Sequence, residues 1–432
     1  MARWSSLRWR PAVIALVVPV LAACGGTVDS SSRLTWYINP DNGGQHRLAE
    51  RCTREAAGRY RIDVEILPTA ADAQREQLVR RLASRDPSID LMSLDPPFVP
   101  EFANAGFLLE LARAGGDDDV AAQALEGPRR TAYWSGRLVA IPLWANTQLL
   151  WFRKSVAAAA DVDPTRQGFT WTAMVAAAER RGALVGVQGN RSEGYVVWIN
   201  ALLESSGGRM LDDPAAGTAA LPAIASPAGD LAAAIIGGLA RSAAAPPDLS
   251  TAGEEEARAT FQGQRGGFMV NWPYVWIAMR DAVRAGSLPA VVLDDVGWAR
   301  YPRTEPGTPS RPPLGGIDLA VGAFSAHPRE AMQAARCLTS LESQIRYMLD
   351  SGNPAAHPAA YDDPAVRERF PMAGLIRESI AAAAPRPLTP YWVDVSTAVQ
   401  RTWHPPASVR VPQTPEHAAR LIRDVLEGNA LL

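Results

Sequence analysis

The chain has 432 residues, of which 47% are hydrophobic and 20% are charged, and its formal net charge is -2 at pH 7. This composition is typical of a globular protein, and the small net charge gives no reason to expect nucleic acid as a partner. A chain of this length is too long for one compact core, so we expect two or three domains.

The first residues have the pattern of a secretory signal. Arginines precede an apolar run over 12–22, which ends in small residues before Cys24. The run is shorter than the ~20 residues that a membrane-spanning helix needs, so a cleaved signal at 1–23 is favoured over an uncleaved anchor. We expect a lipidated Cys24, a flexible tether over 24–33, and a folded part held at the extracytoplasmic face of the cell membrane.

Short apolar runs alternate with helical patterns in the first part of the folded chain. We expect strands at 34–38, 62–67, 89–94 and 138–142, and helices at 44–57, 71–84, 99–112 and 121–134. The alternation of strands and helices predicts a mainly parallel sheet with right-handed connections.

A second alternation of helices and strands begins near Trp171. We expect helices at 171–181, 194–205, 226–241 and 274–285, and strands at 184–188 and 266–270. A proline-rich loop over 302–313 then leads to a strand at 315–321 and helices at 328–350, 363–369, 372–383 and 414–427. The simplest architecture is two α/β lobes with more than one crossing between them.

Two cysteines remain after Cys24, and each lies in a helical pattern. Cys52 and Cys337 would be in an oxidising compartment, where a disulfide is permitted. Two buried thiols are the alternative, because the sequence does not show whether their Cα atoms come within bonding range.

No motif for covalent, redox or metal-dependent catalysis is present, and the five histidines lack ligand spacing. We therefore expect neither a metal nor a cofactor. Paired carboxylates remain as an enzymatic alternative, because Asp95 and Glu254 could face each other across a cleft and cleave a glycoside. Glu254 also begins a helical segment, where the helix dipole alone favours an acid.

Several blocks of sequence resemble a known family. They are Val187 to Asn190, Asn146 to Arg153 (NTQLLWFR), Asn271 to Tyr274 (NWPY) and Gly315 to Val321 (GGIDLAV). Together with the lipoprotein signal and the order of elements, they resemble the solute-binding lipoproteins of ABC sugar importers. Within that family the similarity is greatest to mycobacterial trehalose-binding lipoproteins.

The resemblance implies a fold and a division of the chain. The fold is an α/β, two-lobed periplasmic-binding-protein fold of type II, like maltose-binding protein, with a hinged cleft between the lobes. We expect lobe I to comprise 34–143 plus 294–352, and lobe II to comprise 144–293 plus 353–432.

The resemblance also implies the residues that bind the ligand. They are Asp95, Asn146, Glu254, Trp272, Tyr274, Gly316, Ile317 and Arg386, together with Asp41 or Asn42. Asn42 stands where the relative has an acid, so either residue of this pair is a candidate. Carboxylates, an amide and a guanidinium suit vicinal hydroxyl groups, and an indole suits the C–H face of a sugar ring.

The function that this resemblance implies is capture rather than catalysis. We expect a monomeric receptor that binds a disaccharide, first of all trehalose, and delivers it to membrane permease subunits driven by a cytoplasmic ATPase. The alternatives are a receptor for another oligosaccharide or for a glycerophosphodiester, and a secreted glycoside hydrolase. A phosphodiester would favour cationic groups, whereas the implied set has two acids and one arginine.

Overall fold

The computed structural model describes residues 1, 31–41, 43–116 and 118–432. The predicted signal, Cys24 and Asn42 lie outside the described residues. Among the described residues, no helix has both the length and the apolar character needed to cross a membrane.

The strands of the described residues are numbered in chain order. They are β1 (Ser32–Ile38), β2 (Tyr60–Ile66), β3 (Leu91–Leu94), β4 (Tyr133–Trp134), β5 (Arg137–Leu138), β6 (Ala140–Thr147), β7 (Leu149–Arg153), β8 (Leu184–Gly186), β9 (Leu211–Asp212), β10 (Leu221–Pro222), β11 (Gly266–Asn271), β12 (Val296–Ala299) and β13 (Leu314–Val321).

The helices pack on both faces of the two larger sheets. They are α1 (Gly44–Glu55), α2 (Ala71–Ala83), α3 (Val99–Asn104), α4 (Asp119–Ala122), α5 (Glu126–Thr131), α6 (Lys154–Ala159), α7 (Trp171–Arg181), α8 (Glu193–Ser205), α9 (Pro227–Arg241), α10 (Glu254–Gln262), α11 (Tyr274–Arg284), α12 (Ala290–Asp294), α13 (Pro328–Leu338), α14 (Leu341–Ser351), α15 (Pro364–Arg369), α16 (Ala373–Ala382), α17 (Trp392–Trp403) and α18 (Gln413–Leu426). Short 3₁₀ turns lie at Pro96–Phe98, Leu111–Ala114, Pro214–Ala219, Pro358–Asp362 and Pro406–Ser408.

The first sheet has five strands in the order β2, β1, β3, β13, β6. Strand β1 is parallel to β2 and to β3, as the alternation of strands and helices predicted. Strand β13 is antiparallel to both β3 and β6, because the chain returns to this sheet from elsewhere. We call this sheet and its helices the first lobe.

The second sheet has four strands in the order β12, β7, β11, β8. Strand β11 is parallel to β8, whereas β7 is antiparallel to β11 and to β12. We call this sheet and its helices the second lobe. Since β12 pairs with β7, it lies in the second lobe, whereas the predicted division put 294–352 entirely in lobe I.

Three segments of chain connect the two lobes. Gln148 alone separates β6 from β7, and 300–313 join β12 to β13. We propose the chain around Ala384 as the third segment; it lies beside the second, because the amide of Leu314 donates to the carbonyl of Ala384 and the amide of Ala384 donates to the carbonyl of Pro312. We therefore propose that the chain re-enters the first lobe at Leu314, where β13 begins.

Aromatic side chains fill much of the interior. Trp36 is buried under the first sheet, and Trp151 under the second. In the second lobe Trp171 packs against Trp198 with ring centroids 5.4 Å apart. Burial of such large apolar surfaces is the main contribution to the stability of each lobe.

A disulfide joins two helices of the first lobe. Cys52 near the end of α1 is bonded to Cys337 near the end of α13, with their Cα atoms 5.8 Å apart. Strand β1 ends at Ile38, so α1 runs back from that edge of the sheet and places Cys52 toward the opposite edge.

Some predicted helices are shorter than expected. The helix predicted over 99–112 ends at Asn104, because Gly106 adopts a left-handed φ of 72° and turns the chain. The helix predicted over 328–350 is two helices, and the Ser340 hydroxyl accepts from the amide of Ser343 to begin the second.

One carboxyl group is buried inside the first sheet. Asp318 on β13 is 1% exposed, and its Oδ2 has no partner among the described residues. Desolvation raises the pKa of Asp318 to about 7, the hydrogen bond from Thr131 opposes this shift, and the charge of Asp95 adds to it.

Replacing Asp318 by asparagine should change how stability depends on pH. Between pH 4 and 7 Asp318 is protonated in the folded protein and ionised in the unfolded chain, so unfolding releases a proton. The free energy of unfolding of the native protein therefore falls as the pH rises, by about 4 kcal/mol at most. The Asp318→Asn variant lacks this loss, and it should gain stability relative to the native protein over the same window. Urea unfolding of both proteins at several pH values measures the difference between their free energies of unfolding. A difference that does not vary with pH would contradict the prediction.

Candidate functional site

The predicted binding residues lie where the connecting segments meet the two lobes. Asp95 directly follows β3 of the first lobe, and Asn146 is close to the end of β6. Trp272 directly follows β11 of the second lobe, and Arg386 follows the third connecting segment. Residues at strand ends beside a crossing are well placed to contact one ligand from two sides.

A buried ionic cluster joins the two lobes at Arg386. The Arg386 Nη2 donates to Asp95 Oδ1 at 2.6 Å, and Nη1 donates to Asp95 Oδ2 at 3.0 Å and to Glu193 Oε1 at 2.6 Å. The Arg386 side chain is 5% exposed, and those of Asp95 and Glu193 are 18% and 10% exposed. A paired fork of this kind is the geometry in which arginine also binds two adjacent hydroxyl oxygens.

The charges of this cluster keep Arg386 ionised. Burial alone would lower the pKa of Arg386, but the charges of Asp95 and Glu193 and their hydrogen bonds outweigh it and raise that pKa. The guanidinium is therefore cationic at every pH at which the protein is folded, and the cluster carries two acids for one base.

A second cluster surrounds Trp272. Its indole Nε1 donates to Glu254 Oε1 at 2.8 Å, and the ring is 8% exposed. The indole ring of Trp272 lies against the backbone of β13, because a Cβ added to Gly315 would be 3.1 Å from atoms of that ring. The same Cβ would be 3.6 Å from Asn146 Cβ, so Asn146 lies nearby. An aromatic side chain of the second lobe thus packs beside two residues of the first.

Glu254 is open to solvent although protein surrounds it on most sides. Desolvation by that surrounding protein raises the pKa of Glu254 to about 7, the Trp272 hydrogen bond opposes the shift, and the charges of Glu255 and Asp95 add to it.

Other predicted residues have structural partners. Asp41 accepts from the amides of Gly43 at 2.9 Å and Gln45 at 2.8 Å, and so caps α1. The Tyr274 hydroxyl donates to Glu255 Oε1 at 2.5 Å. Ile317 is buried in the core of the first lobe.

Gly316 contributes its backbone rather than a side chain. Its φ is 124°, and a Cβ there would lie 2.4 Å from the carbonyl oxygen of Trp144. No other residue fits this approach of β13 to β6 without strain. The structure therefore groups Asp95 with Arg386 and Asn146 with Trp272 and Glu254, while Asp41 and Ile317 have roles within the first lobe.

Glu193 was not predicted as a site residue. It begins α8, and it accepts from Trp392 Nε1 at 2.9 Å and from Ser396 Oγ at 2.6 Å as well as from Arg386. The available signal was an acid at the first position of a helix whose following residues are almost all apolar. Among the described residues, no group of three or more His, Cys, Asp or Glu could hold a metal ion.

Comparison with known proteins agrees with this architecture. The family model of the bacterial extracellular solute-binding protein matches residues 53–345. A probable ABC transporter-binding protein of Deinococcus radiodurans is 30% identical over 262 residues, which are 59% of this chain and 60% of that protein. This chain thus matches less than two thirds of the length of that curated relative.

Solved structures show the same fold over nearly the whole chain. The maltose-bound MalE3 of T. maritima is 26% identical and superimposes with a TM-score of 0.79, covering 93% of this chain and 100% of that one. The GacH receptor of Streptomyces glaucescens, at 20% identity and a TM-score of 0.74, covers 92% and 98% respectively, and shows the fold alone.

These matches confirm the predicted α/β, two-lobed periplasmic-binding-protein fold, like that of maltose-binding protein. They also identify a protein that binds a solute rather than one that converts it, which rules out the glycoside hydrolase. On the match over 53–345, this chain belongs to the bacterial extracellular solute-binding protein family.

Proposed function

We propose that this protein is the substrate-binding component of an ABC importer for sugars, and that it holds a disaccharide between its two lobes. The observation that carries the proposal is that each of two pairs spans the lobes: Arg386 is bonded to Asp95 of the first lobe, and Trp272, which is bonded to Glu254, packs against Gly315 of the first lobe. These groups come from both lobes, so a ligand that contacts them all favours the closed arrangement over the open one.

The charge of the site favours a neutral ligand. The single guanidinium is already balanced by Asp95 and Glu193, and Glu254 adds another acid. A glycerophosphodiester would need an unpaired cation beside its phosphate, whereas hydroxyl groups use carboxylates and amides equally well. The bound maltose of the T. maritima relative supports the same class of ligand.

Among disaccharides we propose trehalose first, because the sequence blocks resemble those of trehalose-binding lipoproteins. Another oligosaccharide, such as the maltose of the T. maritima protein, is the alternative within the same class. We propose that the pair Asp41 and Asn42 bears on this choice, because Asn42 departs from the trehalose-binding pattern.

We propose further that the mature chain is a monomer attached by a lipid on Cys24 and works outside the cell membrane. It would deliver its ligand to permease subunits that a cytoplasmic ATPase drives. The signal sequence supports the anchor, and the D. radiodurans relative supports the transporter. Each CH₂ group of an acyl chain that is buried in the membrane contributes ~0.8 kcal/mol, so two acyl chains attach the protein stably to the membrane.

Binding to a panel of sugars tests the proposed function. The purified mature chain is mixed with trehalose, maltose, glucose or glycerophosphocholine, and its Tm and the heat of binding are measured. We expect a disaccharide to raise the Tm, because ligand that binds only the folded state adds RT ln(1 + [L]/Kd) to stability. Absence of a shift and of heat for every sugar would overturn the proposal.

Replacing Trp272 by alanine should weaken disaccharide binding about tenfold to a hundredfold. The indole offers its apolar face to a sugar ring and its Nε1 positions the Glu254 carboxylate, and both contributions are lost together. Calorimetric titration with the best ligand of the panel measures the change in Kd.

Trp276→Phe is the matched control for this substitution. It removes an indole hydrogen bond to the carbonyl of Arg369, a contact that involves none of the predicted binding residues, so the Kd of this variant should stay within about twofold of the native value. Equal losses in the two variants would show that Trp272 acts on stability and not on the ligand.

A further inference from the structure

The carboxylate of Glu193 accepts hydrogen bonds from three side chains. It is the first residue of α8, its side chain is buried, and both of its carboxylate oxygens accept hydrogen bonds. A buried carboxylate is costly unless it is paired and fully bonded, and the positive end of the helix dipole adds a favourable charge. Its position is therefore well defined.

The helix α17 holds Glu193 in place. Trp392, Ser396 and Gln400 are spaced four residues apart and so share one face of α17. Trp392 and Ser396 donate to the Glu193 carboxylate, and Gln400 Nε2 donates to Ser396 Oγ at 3.1 Å. This row of side chains forms a rigid support behind the carboxylate.

Glu193 and Asp95 hold Arg386 in different ways. Glu193 and α17 belong to the same lobe as the chain around Arg386, where Asn200 of α8 also donates to the carbonyl of Pro385. Asp95 comes from the other lobe. Opening of the cleft therefore separates Arg386 from Asp95 but leaves its bond to Glu193 in place.

The donors of Arg386 that face away from Glu193 are the ones available to a ligand. Nη2 and Nη1 both donate to Asp95, so opening of the cleft would free these donors for a ligand, whereas Nε is buried without a partner among the described residues. A long flexible side chain binds more tightly when one of its donors is already fixed, because less freedom is lost on binding.

We propose that Glu193 is a positioning residue, which fixes the Arg386 guanidinium so that its remaining donors meet the sugar. This inference rests on the proposed function, since it assigns Arg386 to the ligand. Glu193 itself does not touch the sugar. Its contribution to affinity passes entirely through Arg386.

The test is a double-mutant cycle on the mature protein. Glu193→Gln keeps the size of the side chain but removes the charge that holds Arg386, and it should raise the Kd of the disaccharide about tenfold. In an Arg386→Met background the same change should alter Kd by less than about twofold, because the group through which Glu193 acts is absent. Glu204→Gln, at the other end of α8, is the matched control and should leave Kd unchanged.

Two outcomes of the cycle would overturn the proposal. One is an unchanged Kd in the Glu193→Gln variant. The other is an equal loss of affinity with and without Arg386, which would mean that Glu193 only maintains the fold of the second lobe.

A crystal structure of the ligand-free Glu193→Gln variant separates this proposal from the proposed function. We expect the Arg386 guanidinium to leave its place beside residue 193 even with no sugar present. If the native protein bound no sugar, the proposed function would fail while this structure still reported on Arg386. A guanidinium that keeps its native orientation in the variant would overturn the positioning role.

Discussion

Replacing Arg386 by alanine should weaken disaccharide binding at least about a hundredfold and should also destabilise the protein. The variant loses a bidentate donor to the ligand, and it leaves Asp95 and Glu193 without their cation. Leaving one side of a buried ion pair uncompensated costs about 3–5 kcal/mol. Calorimetric titration gives the change in Kd, and urea unfolding gives the change in stability.

An exposed arginine is the control for this variant. Arg300 pairs with Glu378 at the surface, where both side chains are more than half exposed. Such pairs contribute about 0–1 kcal/mol, so Arg300→Ala should leave both Kd and stability nearly unchanged. Native affinity for every sugar in Arg386→Ala would contradict the role of the ionic cluster.

Removing the disulfide should lower stability by about 2–5 kcal/mol and leave the affinity for sugar unchanged. The bond between Cys52 and Cys337 spans 285 residues of sequence, so it restricts the unfolded chain strongly. It lies toward the edge of the first sheet that is opposite the cleft. The variant is Cys52→Ala with Cys337→Ala, measured by urea unfolding and by titration with sugar.

Reduction of the native protein provides an independent control, because the reduced chain should unfold at the same urea concentration as the double variant. Equal stability of the oxidised native protein and the double variant would show that the bond does not constrain the unfolded state. A tenfold loss of affinity in the double variant would show instead that the bond shapes the cleft.

The strands of the first lobe were more predictable from the sequence than its helices, since the segments 99–112, 121–134 and 328–350 did not form the single helices expected. The runs at 34–38 and 62–67 became β1 and β2 with small changes at their ends: β1 is mostly buried, whereas β2 is an edge strand in which apolar and polar residues alternate. The helix predicted over 171–181 in the second lobe is also found with the same bounds. Local apolar patterns are sufficient where one face of an element must be buried.

Other elements were missed because their signals depend on distant partners. Strands β7 and β12 are short: β7 lies between β11 and β12, and β12 pairs with β7 at the edge of the sheet. Helix α17 was not predicted, although Trp392, Val395, Val399 and Trp403 lie at helical spacing on its buried face. The second sheet therefore could not be assembled in full from the sequence.

The sequence predicted most of the candidate site residues but not the contacts between them. Arg386 and Asp95 are 291 residues apart, and Glu193 is 193 residues from Arg386, so no local pattern indicates that they form one cluster. Resemblance to the family named Arg386 and Asp95, but it did not name the acid that holds the guanidinium from behind. That contact follows only from the packing of α8 against α17.

The most direct test of the central claim is a crystal structure of the mature protein with the disaccharide that binds best. The account predicts an intact sugar enclosed by both lobes, hydrogen-bonded to the Arg386 guanidinium and packed on the Trp272 indole. A sugar bound to one lobe alone, away from both side chains, would contradict it.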